Sequence, residues 1–260
     1  MILIFSNFHH RRNNTMTTTH FQAITLAGQD AAKFLQGQLT VNVDTLSKAY
    51  QACAISDLKG RVRFGLWVAR TSDDTFTLIT GADCMEDLVA HINKYGVFSK
   101  FTTTKPIAIY PAIIDNLPTF DDNPSCADFD AWASLSIKTG NYWITTFTQG
   151  LFQPQELRLH QRGGVDYDKG CYLGQEIIAR LYFKASPKAY LHRVLLTANT
   201  LDNTTNTVIS GEKIGKVHIV NGIAVDGGYD CLVIGTPTDV AQAGQLLDLP
   251  KPLTGGVSRG

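Results

Sequence analysis

Apolar and polar positions alternate most clearly through Val62, Phe64, Leu66 and Val68, the period of two that sends successive side chains to opposite faces of a strand. This pattern predicts a strand over 61–69, joined as a hairpin to a β-rich run over 49–55 through Asp57-Leu58-Lys59-Gly60. A further strand is expected over 75–80. Met85, Leu88, Val89, Ile92 and Tyr95 then recur at spacings of three and four, one face of an amphipathic helix ending at Gly96. Nearer the start, Asp30 can cap a short helix with Ala31, Phe34 and Leu35 on its apolar side, closed near Gly37 and followed by a strand near 39–43. The Pro, Asp and Asn content of 111–128 reads as a surface connection. From Tyr190 onward, short β-type runs over 192–197, 213–220 and 230–234 are separated by Gly, Asn and Asp clusters without a long helix. The whole reads as α+β, with a small β-barrel or sandwich after the mixed body.

Composition narrows the class. Of 260 residues, 44% are apolar and 10% aromatic, enough to fill a core and too many for intrinsic disorder. Lys and Arg number 23 against 23 Asp and Glu, so no cationic surplus exists to spread over a nucleic-acid footprint. Apolar runs such as 107–109 and 232–234 fall far short of the roughly 20 residues that cross a bilayer. The apolar opening at Met1 is followed by His9-His10-Arg11-Arg12, the reverse of a secretory signal, so residues 1–20 read as a disordered tail with Met16 an alternative start. Five widely spaced cysteines without a CxxC pair suggest reduced thiols in a cytoplasm. Phosphate-loop, dinucleotide, nucleophile-elbow and zincin motifs are absent, and the seven histidines do not pair at metal-ligand spacing.

One segment carries candidate chemistry: Gly163-Gly164-Val165-Asp166-Tyr167-Asp168-Lys169-Gly170-Cys171-Tyr172-Leu173-Gly174-Gln175-Glu176, continuing to Arg180. It reads as a glycine-rich loop entering a helix near Tyr172. A thiol at Cys171 would face the positive end of that helix, with Lys169 as a second positive potential, and both favour the thiolate. Gly170 and Gly174 would let a ligand approach the backbone, and Glu176 suits the first turn. Cys171 as one more buried small residue, with Lys169 a solvated charge, is the alternative reading of the same spacing.

KGCYLGQE, extended to Arg180, resembles the KGCYxGQE signature of the YgfZ family, folate-binding relatives of the glycine-cleavage T protein (aminomethyltransferase). Phe34-Leu35-Gln36-Gly37-Gln38-Leu39-Thr40 is similar to the family's FLQGQ element, and Asp57-Leu58-Lys59-Gly60-Arg61 to its D-x-K-G-K/R hairpin. Lys94-Tyr95-Gly96-Val97-Phe98-Ser99-Lys100 matches KYxxxSK, and Pro154-Gln155-Glu156-Leu157 the PQEL before the signature.

The resemblance implies a two-lobed aminomethyltransferase-like folate-binding body over 21–188 and a C-terminal β-barrel over 189–260, arranged as a ring around a central channel. It implies tetrahydrofolate, or a one-carbon derivative, as the cofactor. Glu156 would accept the pterin's paired N–H donors. Gly170, Tyr172, Gln175 and Arg180 are further binding candidates, with Phe152 and Lys188 behind them. The implied function is an accessory protein for iron–sulfur enzymes and tRNA modification, a tRNA methylthiotransferase among its partners, with Lys169 and Cys171 as the reactive pair. No direct nucleic-acid or membrane contact is expected. The alternative is a folate-dependent one-carbon transferase of the aminomethyltransferase type. The family usually has Asn where Arg158 stands here, and a cation at that place could meet a glutamate carboxylate of folate.

Overall fold

The computed structural model describes residues 20–197 and 207–257. The tail expected over 1–20, His20 apart, and the alternative start lie outside the described residues.

The first half builds one antiparallel sheet. Strand β1 (Phe21–Ala27) leads into helix α1 (Ala31–Gln36), followed by β2 (Gln51–Ser56), β3 (Val62–Ser72) and β4 (Thr75–Gly81). Helix α2 (Met85–Tyr95), the short β5 (Thr102–Thr103), β6 (Ile107–Ile114) and β7 (Leu117–Asp121) complete it, in the order β2-β3-β4-β1-β6-β7 with β5 also on β1. The alternation in β3 works as expected beyond its first residue. Phe64, Leu66 and Val68 face one way, into a cluster with Ile24, Leu26, Phe34, Leu35, Leu88 and Ile92 from β1, α1 and α2. Val62 instead joins the opposite cluster, because the register slips between Ile55 and Ser56 and reverses the face. Its backbone there bonds Phe152 and Gly150.

Two segments differ from expectation. The 39–43 run has the buried Leu39, Val41 and Val43 of a strand, yet forms only an isolated bridge from Leu39 to Ile55. Its carbonyls find other donors, as described below. The 111–128 stretch is not a surface connection. It holds most of the β6–β7 hairpin, whose turn residues Asp115 and Asn116 have φ of 52° and 59°, the left-handed region that Asp and Asn tolerate. Pro118 is accommodated because β7 ends the sheet.

Helix α3 (Phe129–Thr139) follows, capped by the Asp128 carboxylate on Ala131 N and closed by Gly140 at φ 71°. Helix α4 (Gln175–Lys184) precedes a second antiparallel sheet. This comprises β8 (Tyr190–Thr197), β9 (Val208–Ile209), β10 (Lys213–Ile214), β11 (Val217–Val225) and β12 (Gly228–Gly235). After helix α5 (Pro237–Ala243), β13 (Gln245–Leu247) returns to β8, giving the order β10-β11-β12-β8-β13 with β9 on β11. Strand β12 is buried on both faces. Tyr229, Cys231 and Val233 pack with Val194, Leu196, Ile219 and Val240 inside this sheet, while Leu232 and Ile234 face the first half.

A shared core joins the halves: Phe21, Trp67, Trp132, Trp143, Leu157 and Ile178 meet Leu191, Val220, Leu232 and Ile234. Asn221, at a bulge in β11, fixes the contact by bonding both the N–H and the carbonyl of Trp143. No helix among the described residues is long and apolar enough to cross a membrane.

Candidate functional site: a thiol displayed on a clamped loop

The loop before α4 is held by Lys169. Its ammonium is buried and donates to the carbonyls of Gln36, Leu39 and Val41 at 2.8, 2.6 and 2.7 Å, with the Tyr172 ring centroid 4.9 Å away. The carbonyls of Leu39 and Val41 are ones that a strand over 39–43 would have paired, and that of Gln36 ends α1. Burial pushes Lys169 down to about 8, partly offset by Cys53, Asp166 and Asp44, so near neutral pH it remains an ammonium with three donors for three acceptors. The adjoining turn is fixed by the Asp166 carboxylate, which accepts from Asp168 N and Lys169 N.

The other motifs meet at the same loop. Thr40 bonds Gly164 O through its hydroxyl and accepts Asp166 N at its carbonyl, and Leu173 N donates to Gly37 O. Gly174, at φ 79°, lies so close to the β2–β3 turn that a Cβ would stand 2.4 Å from Asp57 O. Gly60 lies against Ile177 and Ile178 of α4. Gln155 donates to Tyr167 Oη at 3.0 Å and Ile178 O at 2.8 Å. Tyr95, Lys59 and Leu173 border one cavity. Elements dispersed over residues 34–180 thus converge in space.

Between the buried Lys169 and Tyr172, Cys171 is exposed. Cys53, Cys84 and Cys231 are buried, and burial pushes all three thiols up. Cys126 is exposed far along the chain, after β7. The surroundings of Cys171 differ from expectation in two respects. Lys169 is committed to backbone carbonyls rather than standing free beside the thiol, and the helix begins at Gln175, four residues beyond Cys171.

The remaining candidates fall into distinct settings. Tyr172 is buried, its hydroxyl without a partner, and burial raises its pKa. Gln175 turns its carbonyl oxygen back to Tyr172 N at 3.3 Å. Gly170 is open on its Cα side, and Arg180 is exposed on α4. Glu156 is half-buried, accepting Gln153 N at 2.8 Å; burial raises its pKa, against the Gln153 bond and the Arg61 charge. Phe152 is core, edge-on to His218. Arg158 is no free cation for a folate tail: it is buried and donates to Leu191 O, Gln161 Oε1 and Gly255 O. Its φ of 56° is a conformation at which Asn is more at ease.

Sequence reasoning missed a cavity of about 460 Å³ between the two sheets, bordered by Asp83, Trp143, Thr145, Phe147, Ser210 and Glu212. A neighbouring cavity of about 250 Å³ shares Asp83, Trp143 and Thr145. Glu212 Oε2 is buried without a partner. No motif marks these residues, because they come from three separate stretches of chain.

No family model matches the chain. The tRNA-modifying protein YgfZ of Klebsiella pneumoniae is 28% identical to it, over 71% of this chain and 72% of that protein. An uncharacterized protein of Haemophilus influenzae is 30% identical, over 66% of this chain and 70% of the relative. Among solved structures, glycine cleavage system aminomethyltransferase T from Bartonella henselae superposes with a TM-score of 0.58 at 11% identity, over 85% of this chain and 77% of that one. That likeness identifies the architecture as a mixed α/β fold of the aminomethyltransferase kind. Five motif elements that converge on one loop, and relatives that span most of the chain, place it in the YgfZ family.

Proposed function

We propose that the chain is a tetrahydrofolate-binding accessory protein for iron–sulfur enzymes, a tRNA methylthiotransferase among them, and that Cys171 is the group it presents to the partner. The carrying observation is the loop: Lys169 and Tyr172 are buried anchors, and Cys171 between them is exposed. In this reading Lys169 is a positioning residue and the thiol is the chemical group. A single thiol cannot hold an iron–sulfur cluster, which takes about four such ligands, so any cluster belongs mainly to the partner.

A folate supplies a carrier for one-carbon units, and the residues present fit one. The cavity between the sheets combines the Trp143 and Phe147 rings with the carboxylates of Asp83 and Glu212, a setting suited to a flat ring rich in N–H donors. Glu156 is the carboxylate that the family resemblance names, and Glu212, with its unpartnered buried oxygen, is a second. The lobes over 21–188, the barrel over 189–260 and their ring around a channel belong to the same proposal, supported by this cavity's position between two sheets. So does the cytoplasm as the site of action.

The test is complementation of a strain lacking its own copy. Cys171→Ala should fail to restore methylthiolated tRNA while Cys126→Ala restores it, and full rescue by Cys171→Ala removes the thiol from the function. Tetrahydrofolate titration of Glu156→Gln and Glu212→Gln should show at least about tenfold weaker binding in the variant whose carboxylate meets the ring. Unchanged affinity in both removes the carboxylates from the site. The likeness to an aminomethyltransferase supports a transferase as the second reading; it requires folate-dependent ammonia release from an aminomethyl donor, which we expect to be absent.

A further inference from the structure

A cavity of about 350 Å³ opens between the β2–β3 turn and α2, where Ser56, Lys59, Arg61, Arg63, His91 and Tyr95 meet. Its charge is one-sided. None of the three cations is in a salt bridge among the described residues. The one carboxylate at the cavity, Asp57, spends Oδ1 on the N–H groups of Lys59 and Arg61 at 2.8 and 2.9 Å. Arg61 shares its charge with Glu156, whose pKa it lowers, and Arg63 lies over the Phe64 ring at 5.1 Å.

Two polar atoms at this cavity are buried and unpartnered: Ser56 Oγ, on a fully buried residue, and His91 Nδ1, on a residue 3% exposed. They ask for opposite things. His91 Nε2 lies 2.8 Å from Gln38 Oε1, which can only accept, so Nε2 carries the proton and Nδ1 is an acceptor. Burial, with Arg63 and Lys94 nearby, pushes His91 down to about 4, so the ring is neutral near pH 7. Ser56 Oγ can donate. An occupant that satisfies both must bring anionic oxygens for the cations and the serine, together with an O–H for the histidine.

We propose that this cavity binds inorganic phosphate, which keeps a P–OH near pH 7. The same chemistry excludes two common anions. Sulfate has no proton at neutral pH, and a phosphodiester, the linkage of a nucleic-acid backbone, has no P–OH. The site does not depend on the folate reading.

Calorimetric titration of the full chain at pH 7 and constant ionic strength, with inorganic phosphate, sulfate and dimethyl phosphate, tests the proposal. Inorganic phosphate should bind at least about tenfold more tightly than either of the others, the loss expected when a buried acceptor is left unpaired. Arg63→Gln and Ser56→Ala should each weaken phosphate at least about fivefold. Arg63 is exposed, so its variant keeps the test sound if the buried serine proves necessary for folding. Phenyl phosphate, largely a dianion without a P–OH at pH 7, should also bind more weakly than inorganic phosphate, and equal or tighter binding counts against the P–OH requirement. Equal affinity for phosphate and sulfate, or full affinity in both Arg63→Gln and Ser56→Ala, overturns the proposal.

Discussion

Lys169 shows how much one side chain decides here. Its three donors serve the last carbonyl of α1, at Gln36, and stand in for the strand partners that Leu39 and Val41 lack, so removing it strands carbonyls in the interior. Lys169→Met, close in volume but without donors, should cost about 2–4 kcal/mol in denaturant unfolding. It should also change the alkylation rate of Cys171, whose backbone it holds. In the native wild type, Cys171 and Cys126 should react rapidly with iodoacetamide, and Cys53, Cys84 and Cys231 only on unfolding, as followed by mass mapping. Protection of Cys171 in the native state would remove the displayed thiol. The motif residues were legible in the sequence, but the role of Lys169 was not. Two positions of separation from a cysteine suggested an electrostatic partner, whereas the long side chain reaches across 128 to 133 positions to its acceptors.

Among the elements, α4 illustrates the role of close backbone contact. The KGCYLGQE string predicts a loop and then a helix, and both form, but the helix starts at Gln175 because Gly174 takes a left-handed φ of 79° against the β2–β3 turn. Gly174→Ala should therefore destabilise the protein by about 1–3 kcal/mol, combining backbone strain with a Cβ placed 2.4 Å from Asp57 O. The measurement is the urea midpoint, and a change below about 0.5 kcal/mol would refute the contact. The strand over 39–43 and the connection over 111–128 were misread for related reasons. Alternation reports burial, which Leu39, Val41 and Val43 do have, but not the partner of each carbonyl. Two prolines concealed the β6–β7 hairpin, although its Asp115-Asn116 turn was visible in the sequence.

Over the whole molecule, acid should act through buried and half-buried histidines. His91, His160 and His192 are each pushed down to about 4, chiefly by burial, while an unfolded chain holds them near 6.5. Each has a folded pKa below its unfolded one, so its contribution is complete above about 6.5 and is lost as pH falls towards 4. The urea midpoint should therefore drop between pH 7 and pH 5, and His192→Gln should reduce that drop. A midpoint unchanged over this range would contradict imidazoles held neutral in the fold.

By itself, the sequence determined the order of most strands and helices, the family, and the motif that contains Cys171, because periodicity and motifs are local properties of the chain. Tertiary structure alone decided which side of the signature loop is buried. It also brought five motifs to one place, committed Lys169 and Arg158 to backbone carbonyls, and assembled the cavities at Glu212 and His91. The reason is physical. A buried polar group takes its role from the partner it finds, and that partner stands far away in the sequence, where no local pattern records it.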